Sequence, residues 1–334
     1  MTATIKDVAK MAGVSISTVS RVINNSKPVS TEIRQKVLDV INELGYKPNE
    51  IARTLVTKKS FLIGVIVTDL GDSYIAQLVR GIEEVGKMYD YDILLCSTYG
   101  DKATEIKFMQ LLSRKQVEGI ILVSDSLNDE IDNQLKDFKI PFVYLNRYFY
   151  TEDFPTVTID NLEATYEMTN YLINLGHENI AYVSSSKEDY SLELLKLEGY
   201  KKAISENEGY EENIFYAKGR NIEDGYEVCR DIMVSNSDIT AIFCGHDELA
   251  IGVLNYLYDN NIEVPDKVSV AGYGDIKTAS IFRPRLTTIK EPFYDIGAVA
   301  IRRIIKEIKK ESIDNNTIFL PFQIQKRESC AKML

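Results

Sequence analysis

The segment TIKDVAKMAGVSISTVSRVIN, residues 4–24, contains two short amphipathic helix patterns separated by one glycine. Thr4, with Asp7 three residues later, is typical of a helix start, and Gly13 is typical of a helix end. Ser15 can cap the second helix, in which apolar residues recur at intervals of three and four. Two short helices joined across a glycine turn predict a helix-turn-helix.

A third helical pattern runs from Thr31 to Leu44, and Gly45 follows its end. We expect this helix to complete a three-helix core. The residues predicted to form its apolar face are Ile33, Val37, Leu38, Ile41 and Leu44.

Charge is divided unevenly along the chain. The first 60 residues hold ten basic and five acidic residues, a balance of +5 in a chain of −11, so the remainder carries −16. A basic module on an acidic body indicates a polyanionic partner, and the second helix of a helix-turn-helix enters the major groove of DNA at its start. A small helical bundle with an ordinary polar surface is the alternative. The predicted DNA contacts are Ser15, Ile16, Ser17, Thr18 and Arg21.

The rest of the chain predicts an α/β body. From Phe61 onward, apolar runs of strand length such as FLIGVIV and AIFCG alternate with helical stretches, and this alternation occurs twice. It predicts two lobes, each with a parallel sheet. No Gly-rich phosphate loop or nucleophile elbow is present, and His177 and His246 lack metal-type spacing, so we do not expect an enzyme.

Composition limits the remaining classes. The 334 residues, 45% of them apolar, have room for about two domains. No run approaches the ~20 apolar residues of a membrane span, and no secretion signal is recognisable, so we expect a cytoplasmic protein. A secreted sugar-binding receptor would fit the body alone. The four cysteines lack paired spacing, and we expect buried free thiols, with neither metal nor cofactor.

The stretches IKDVAKMAGVSISTVSRVINN and LGYKPNEIARTLVTKKS resemble the head and hinge of the LacI/GalR family of bacterial transcription regulators, and the likeness extends along essentially the whole chain. The resemblance implies that KPNEIARTL is a hinge helix that becomes ordered on operator binding, with Leu55 wedged into the minor groove. A plain linker is the alternative. The further DNA contacts that we predict are Thr4, Asn24, Tyr46, Asn49, Arg53 and Leu55.

The resemblance also implies a domain organisation like that of periplasmic sugar-binding proteins, with crossings between the lobes near Asp160, Ile289 and Pro321. A ligand would lie in the cleft between the lobes. The predicted parts are a helix-turn-helix domain (1–47), a hinge helix and linker (48–60), an N-terminal lobe (61–160 with 290–321) and a C-terminal lobe (161–289 with 322–334).

The cleft departs from the pattern of the sugar- and purine-responsive family members. Their effector-binding arginine, asparagine and aspartate are replaced by Lys196, His246 and Gly274, which argues against a high-affinity sugar site. Asp72, Tyr74 or Asp275 could compensate, and Asp247, which opens a helix, is interpreted as its cap. The predicted cleft residues are Tyr74, Lys196, His246, Asp247, Gly274 and Asp275.

Within the family, VRGIEEVGKMYDYDILL, SRKQVEGIIL and EPFYDIGAVAIRRIIKEI are similar to the carbon catabolite regulators of low-GC Gram-positive bacteria. The corepressor of those regulators is HPr phosphorylated on a serine. The resemblance implies that Arg302 and Lys306, with Tyr294 nearby, bind this phosphoprotein. Spacing alone favours an ordinary solvated helix.

The sequence thus predicts a homodimeric transcription regulator that binds a palindromic double-stranded operator and is activated by serine-phosphorylated HPr. The alternative within the family is a regulator of one sugar operon, with a small-molecule effector in the cleft. Whether sugar phosphates act as additional effectors stays open.

Overall fold

The computed structural model describes residues 3–24, 27–46, 59–123, 129–146, 154–185, 192–235, 238–313 and 315–333. Two compact units, Met1–Ser60 and Phe61–Leu334, divide the chain. The predicted hinge helix lies outside the described residues, and with it Asn49, Arg53 and Leu55.

Within its described residues, the first unit contains three helices, α1 (Ile5–Ala12), α2 (Ile16–Asn24) and α3 (Thr31–Leu44), as the sequence pattern predicts. Gly13 and Gly45 follow α1 and α3 with left-handed φ angles of 65° and 59°, a conformation that glycine adopts without strain. The buried core of this unit consists of Val8, Ala9, Ala12, Val19, Val22, Val37 and Val40.

The apolar face predicted for α3 is partly wrong. Val40 is buried, whereas Ile33 and Leu38 are exposed. Leu38 lies about 100° around the helix from Val37, away from α1 and α2. Ile33 lies in the first turn of α3.

The described residues of the second unit form two six-stranded sheets, and the predicted runs FLIGVIV and AIFCG each contain one of their strands. The strands are β1 (Leu62–Val67), β2 (Asp92–Ser97), β3 (Gly119–Leu122), β4 (Phe142–Leu145), β5 (Thr156–Ile159), β6 (Ile180–Ser184), β7 (Asn213–Tyr216), β8 (Ala241–Cys244), β9 (Ser269–Gly274), β10 (Thr287–Lys290), β11 (Thr317–Leu320) and β12 (Gln323–Gln325).

Helices lie between most of the successive strands of this unit, as is usual for crossover connections between parallel strands. They are α4 (Ser73–Met88), α5 (Lys102–Arg114), α6 (Asp129–Phe138), α7 (Asn161–Asn174), α8 (Leu192–Ser205), α9 (Ile222–Ser235), α10 (Asp247–Asp259), α11 (Lys277–Ile281) and α12 (Phe293–Ile308).

The strand orders are β11-β5-β4-β3-β1-β2 and β12-β10-β9-β8-β6-β7. Among the described strands, every pairing is parallel except that of β12 with β10. In the order of these strands, the chain passes between the sheets after β5, after β10 and after β11. The predicted α/β class, with a three-helix head and a body of two parallel-sheet lobes, is confirmed.

Helices α4 and α12 pack very closely against each other through glycines. A Cβ atom on Gly81 would lie 2.1 Å from the carbonyl oxygen of Tyr294, and one on Gly297 would lie 2.1 Å from that of Leu78. Only glycine permits such an approach of two backbones. The close packing fixes the position of α12, which carries the predicted corepressor site.

Candidate functional site

The start of α2 presents the polar surface that was predicted to face DNA. The Ser15 hydroxyl accepts a hydrogen bond from the Thr18 backbone N–H at 3.1 Å and also contacts the hydroxyls of Ser17 and Thr18. Ser15 is therefore the cap of α2. Ile16 and Ser17 are exposed on the first turn, and Arg21 is exposed one turn later.

The other predicted head contacts have different surroundings. The backbone N–H and the hydroxyl of Thr4 both donate to the Asp7 carboxylate, at 2.9 and 2.7 Å, so Thr4 fixes the start of α1. Tyr46 is half-buried against the head core, and Asn24 is the last residue of α2. Arg21 has no ion-pair partner among the described residues, which leaves its guanidinium available to a ligand.

A second candidate surface lies on α12, where Arg302 and Lys306 are both exposed and one turn apart. No ion pair or hydrogen bond of either side chain is found within the described parts of the chain. Arg303 between them is buried and donates to the Asn315 carbonyl oxygen at 2.5 Å. A surface cavity of about 320 Å³ is lined by Val299, Arg302, Arg303, Lys306, Ser312, Ile313, Asn315 and Ile318.

Tyr294 lies near the start of the same helix and has a partner of its own. Its hydroxyl donates to the Glu84 carboxylate at 2.8 Å, and the same carboxylate accepts from Arg80 at 2.8 Å. Hydrogen bonds from Arg80 and Tyr294 lower the pKa of Glu84, and the bond to Glu84 raises the pKa of Tyr294. Tyr294 precedes Arg302 by two helical turns, about 12 Å along the helix axis.

The third candidate site is the cleft between the two sheets, which contains a cavity of about 50 Å³. Both lobes contribute to its wall, and four of the predicted cleft residues, Tyr74, Lys196, His246 and Gly274, are among them. The full lining is Tyr74, Val123, Leu145, Asn146, Leu192, Glu193, Lys196, Arg220, His246, Glu248, Tyr273, Gly274, Ile276, Glu291 and Phe293.

A buried ion pair dominates the C-terminal side of this cavity. Lys196, 3% exposed, donates to Glu193 at 3.0 Å, to the Gly245 carbonyl oxygen at 3.0 Å, and lies 4.2 Å from the centre of the Tyr273 ring. Burial alone would raise the pKa of Glu193, but the Lys196 ammonium holds that pKa well below its usual value.

His246 completes this cluster, with Nε2 at 3.0 Å from the same Glu193 oxygen. Burial, with the nearby Lys196 charge acting in the same direction, lowers the pKa of His246 to about 4. His246 is therefore neutral at pH 7, and its Nε2–H donates to the carboxylate.

Glu291 faces the cavity from the segment that leads from β10 to α12. Its carboxylate accepts a hydrogen bond from the Asn146 side-chain amide at 3.0 Å, which joins the crossing segment to the end of β4. Burial raises the pKa of Glu291 to about 7. Sequence reasoning missed Glu193 and Glu291, because a glutamate in a helix or after a strand is usually a surface residue and neither occupies a recognised motif.

Two predicted cleft residues do not line the cavity. Asp247 is fully buried, and its carboxylate accepts from Thr288 at 2.6 Å and from the Ile276 N–H at 2.8 Å. The interpretation of Asp247 as the cap of α10 is wrong, because His246 occupies the N-cap position and the carboxylate connects α10 to β10 and α11. Asp275 is paired with Arg327 at 2.5 Å.

The described part of the chain contains neither a candidate metal site nor a candidate membrane span. Among those residues, no group of three or more histidine, cysteine or acidic side chains is arranged to hold a metal ion. Within the same ranges, no helix has the length and apolar character needed to cross a membrane. The four cysteines are free thiols, three of them buried and Cys330 partly so.

Comparison with known proteins agrees with this architecture. Residues 4–49 match "Bacterial regulatory proteins, lacI family", and residues 60–326 match "Periplasmic binding proteins and sugar binding domain of LacI family". The chain is 38% identical over 330 residues to the HTH-type transcriptional regulator RegA of Clostridium saccharobutylicum, covering 98% of this chain and 99% of that protein. It is 37% identical over 330 residues to catabolite control protein A of Priestia megaterium, with the same coverage.

The structure of the Lac repressor dimer bound to operator and the anti-inducer ONPF has a TM-score of 0.89 to this chain, at 26% identity, covering 99% of this chain and 100% of that one. A helix-turn-helix head followed by a two-lobed body defines a DNA-binding transcription regulator rather than an enzyme. The chain belongs to the LacI family of bacterial regulatory proteins.

Proposed function

We propose that this regulator acts in carbon catabolite control. It would bind a palindromic operator as a homodimer, and serine-phosphorylated HPr would act as its corepressor. The observation that carries the proposal is the pair of exposed cations Arg302 and Lys306 beside the cavity on α12, which have no partner among the described residues.

The DNA-binding half of the proposal rests on α2. Its exposed first turn is the part of a helix-turn-helix that enters the major groove, and Arg21 can pair with a guanine edge. Ile16 can contact a thymine methyl group, and Ser17 and Thr18 can hydrogen bond to either base edges or phosphates. Two heads related by a two-fold axis would read two half-sites of one palindrome, while Leu55 of each hinge would enter the minor groove between them.

The corepressor half of the proposal rests on the positive charge of Arg302 and Lys306 and on the exposure of both side chains. The body carries a net charge of −16 outside the first 60 residues, so two cations on one helix face without an ion pair to any described residue differ from the body as a whole. A phosphoserine carries nearly two negative charges and three acceptor oxygens, which suit an arginine and a lysine one turn apart. Cavity-lining Val299, Ile313 and Ile318 offer apolar contacts beside the phosphate.

Tyr294 would contact a different part of the same partner. It lies two turns from Arg302 and is held by Glu84, next to Arg80. The α4–α12 surface would then contact the protein through Tyr294 and bind the phosphate through Arg302 and Lys306. This division explains why a phosphoprotein, rather than free phosphate, would be the corepressor.

Regulation follows from differential affinity. A corepressor that binds the operator-competent arrangement more tightly shifts the population toward that arrangement, and bound operator tightens corepressor binding by the same factor. The catabolite control protein A of Priestia megaterium, 37% identical along nearly the whole chain, supports assignment to this branch of the family.

The test is fluorescence anisotropy on a palindromic duplex, selected by this protein from a randomised pool and titrated at one salt concentration. Serine-phosphorylated HPr should tighten operator binding, whereas unmodified HPr should not. A response to one sugar, with none to either form of HPr, would instead assign the protein to the control of a single sugar operon.

The variant Arg302→Ala with Lys306→Ala should bind the operator like the wild type and lose the response to phosphorylated HPr. The matched control is Lys309→Ala with Lys310→Ala, which removes the same charge from the end of the same helix, outside the cavity lining. The control should respond like the wild type. An undiminished response in the first variant would contradict the assignment of the phosphate site.

A further inference from the structure

Lys196 is an unusual residue to find at a ligand cleft, because it is buried there and already bonded. It lies on α8 and is 3% exposed, although its side chain forms part of the cavity wall. Lysine is almost never fully buried unless it is paired. The partners of its ammonium among the described residues come from the C-terminal side of the cleft.

The surroundings of the ammonium form a cation site. Glu193 and the Gly245 carbonyl oxygen accept hydrogen bonds from Nζ, each at 3.0 Å, and the face of Tyr273 lies 4.2 Å away. Glu291 faces the same cavity and is within electrostatic range of Lys196. A carboxylate, a carbonyl oxygen and an aromatic face together bind a cation. They bind a neutral hydroxyl group more weakly, because it carries no positive charge.

The space that remains is small. The cavity measures about 50 Å³, whereas small-molecule sites span roughly 300–1,000 Å³. The unoccupied part is several-fold smaller than such a site, so a hexose does not fit beside Lys196. His246, neutral and bonded to Glu193, closes the same side of the cavity.

We propose that Lys196 is a built-in occupant of the inter-lobe cleft, and that removal of its side chain converts the cleft into a binding site for small primary alkylammonium ions. Lys196 thereby determines the ligand specificity of the cleft. Its ammonium satisfies the cation site from within the chain, and its stem fills the volume that a neutral sugar would need. The inference deepens the proposed function, since a cleft filled in this way leaves regulation to a partner protein.

The test uses the full chain with Lys196→Ala. This variant lacks four heavy atoms, three carbons and a nitrogen, which n-propylammonium supplies and which 1-propanol matches in size without the charge. The melting temperature of the variant should rise saturably with propylammonium chloride and not with 1-propanol or sodium chloride at the same concentration. An equal response to propanol, or no saturable rise, would overturn the proposal.

The wild type and Lys201→Ala are the controls. Lys201 lies on the same helix, with its side chain 45% exposed, so its removal opens no cavity. Neither protein should show a saturable response to propylammonium, and wild-type protein titrated with D-glucose should show no shift. Saturable stabilisation of the wild type by either compound would contradict an occupied cleft.

A second measurement does not depend on whether Lys196→Ala folds. Brief acylation of the native wild type with an amine-reactive ester, followed by peptide mass spectrometry, should modify Lys201 and Lys202 and leave Lys196 unmodified. Modification of Lys196 at the rate of its neighbours would overturn the proposal. If phosphorylated HPr does not tighten operator binding by the wild type, the proposed function is refuted. The result expected from the propylammonium titration of Lys196→Ala stays the same.

Discussion

The cleft and the exposed face of α12 both carry positively charged side chains, which are buried and bonded in the cleft but exposed on the helix. Lys196 is buried and bonded to a carboxylate, a carbonyl oxygen and an aromatic face. Arg302 and Lys306 are exposed and have no partner among the described residues. The difference teaches that, in an acidic protein, the positive charges that can recognise an anion are those that the fold leaves unpaired.

Helix packing explains why Lys196 is buried whereas Arg302 and Lys306 are exposed. On α12, Ile301, Ile304 and Ile305 are buried against the sheet and α4, whereas Arg302 and Lys306 are exposed to solvent. The close backbone contacts at Gly81 and Gly297 hold α12 in this position against α4. On α8, Lys196 occupies the buried side of the helix, and Glu193, one turn earlier, lies beside it.

The largest effect is expected on stability. Lys196→Met should lower the free energy of unfolding by about 3–5 kcal/mol, because the buried Glu193 carboxylate loses its main counter-charge. Lys306→Met, the same substitution at an exposed position, should leave it unchanged within error. Urea unfolding of both variants checks the difference.

A double variant sharpens this comparison. Lys196→Met with Glu193→Gln removes both charges, so it should recover a large part of the stability lost in the single variant. Equal losses in Lys196→Met and Lys306→Met would contradict the account of the cleft as a buried, self-paired charge cluster.

The next effect concerns pH. Burial raises the pKa of Glu291 from 4.5 to about 7, so the folded state holds its proton where the unfolded state has released it. The wild type should therefore lose stability from this group as pH rises from about 4.5 to about 7. Glu291→Gln keeps the acceptor for Asn146 and removes this loss, which is about 3 kcal/mol at most.

Thermal unfolding between pH 4.5 and 8 checks this prediction. Burial also raises the pKa of Asp247 to about 7. Asp247 therefore changes the stability of both proteins with pH in the same way, and its effect cancels in the difference. Arg302→Ala serves as the exposed control and should follow the wild-type profile. A Glu291→Gln profile parallel to the wild type would contradict ionisation of a buried carboxyl.

The smallest effect extends the comparison to the head, where Arg21 is a third exposed cation. Arg21→Ala should weaken binding to the selected operator by about 1–3 kcal/mol and weaken binding to random DNA less, since a base contact is lost. Lys36→Ala, which removes a charge from α3, should affect both duplexes equally. Anisotropy on the two duplexes at one salt concentration distinguishes the cases.

Much of the fold could be predicted from the sequence, because the relevant signals are local. The bounds of α3 and the glycines at its end and at the end of α1 follow from apolar spacing and from the conformational freedom of glycine. The strand runs of the body follow from uninterrupted apolar segments buried on both faces. Local patterns were less able to assign the faces, as Ile33, Leu38 and Val40 show.

The sequence by itself thus determined the helix-turn-helix, the two α/β lobes and the positions of the exposed cations on α12, since each depends on periodicity over a few turns or strands. Tertiary structure alone decided that Lys196 bonds to the Gly245 carbonyl oxygen, that Asp247 joins three elements and that Asp275 bonds to Arg327. These contacts join residues up to 52 positions apart. Whether a charged side chain is free to bind a ligand depends on such distant neighbours, which no local pattern contains.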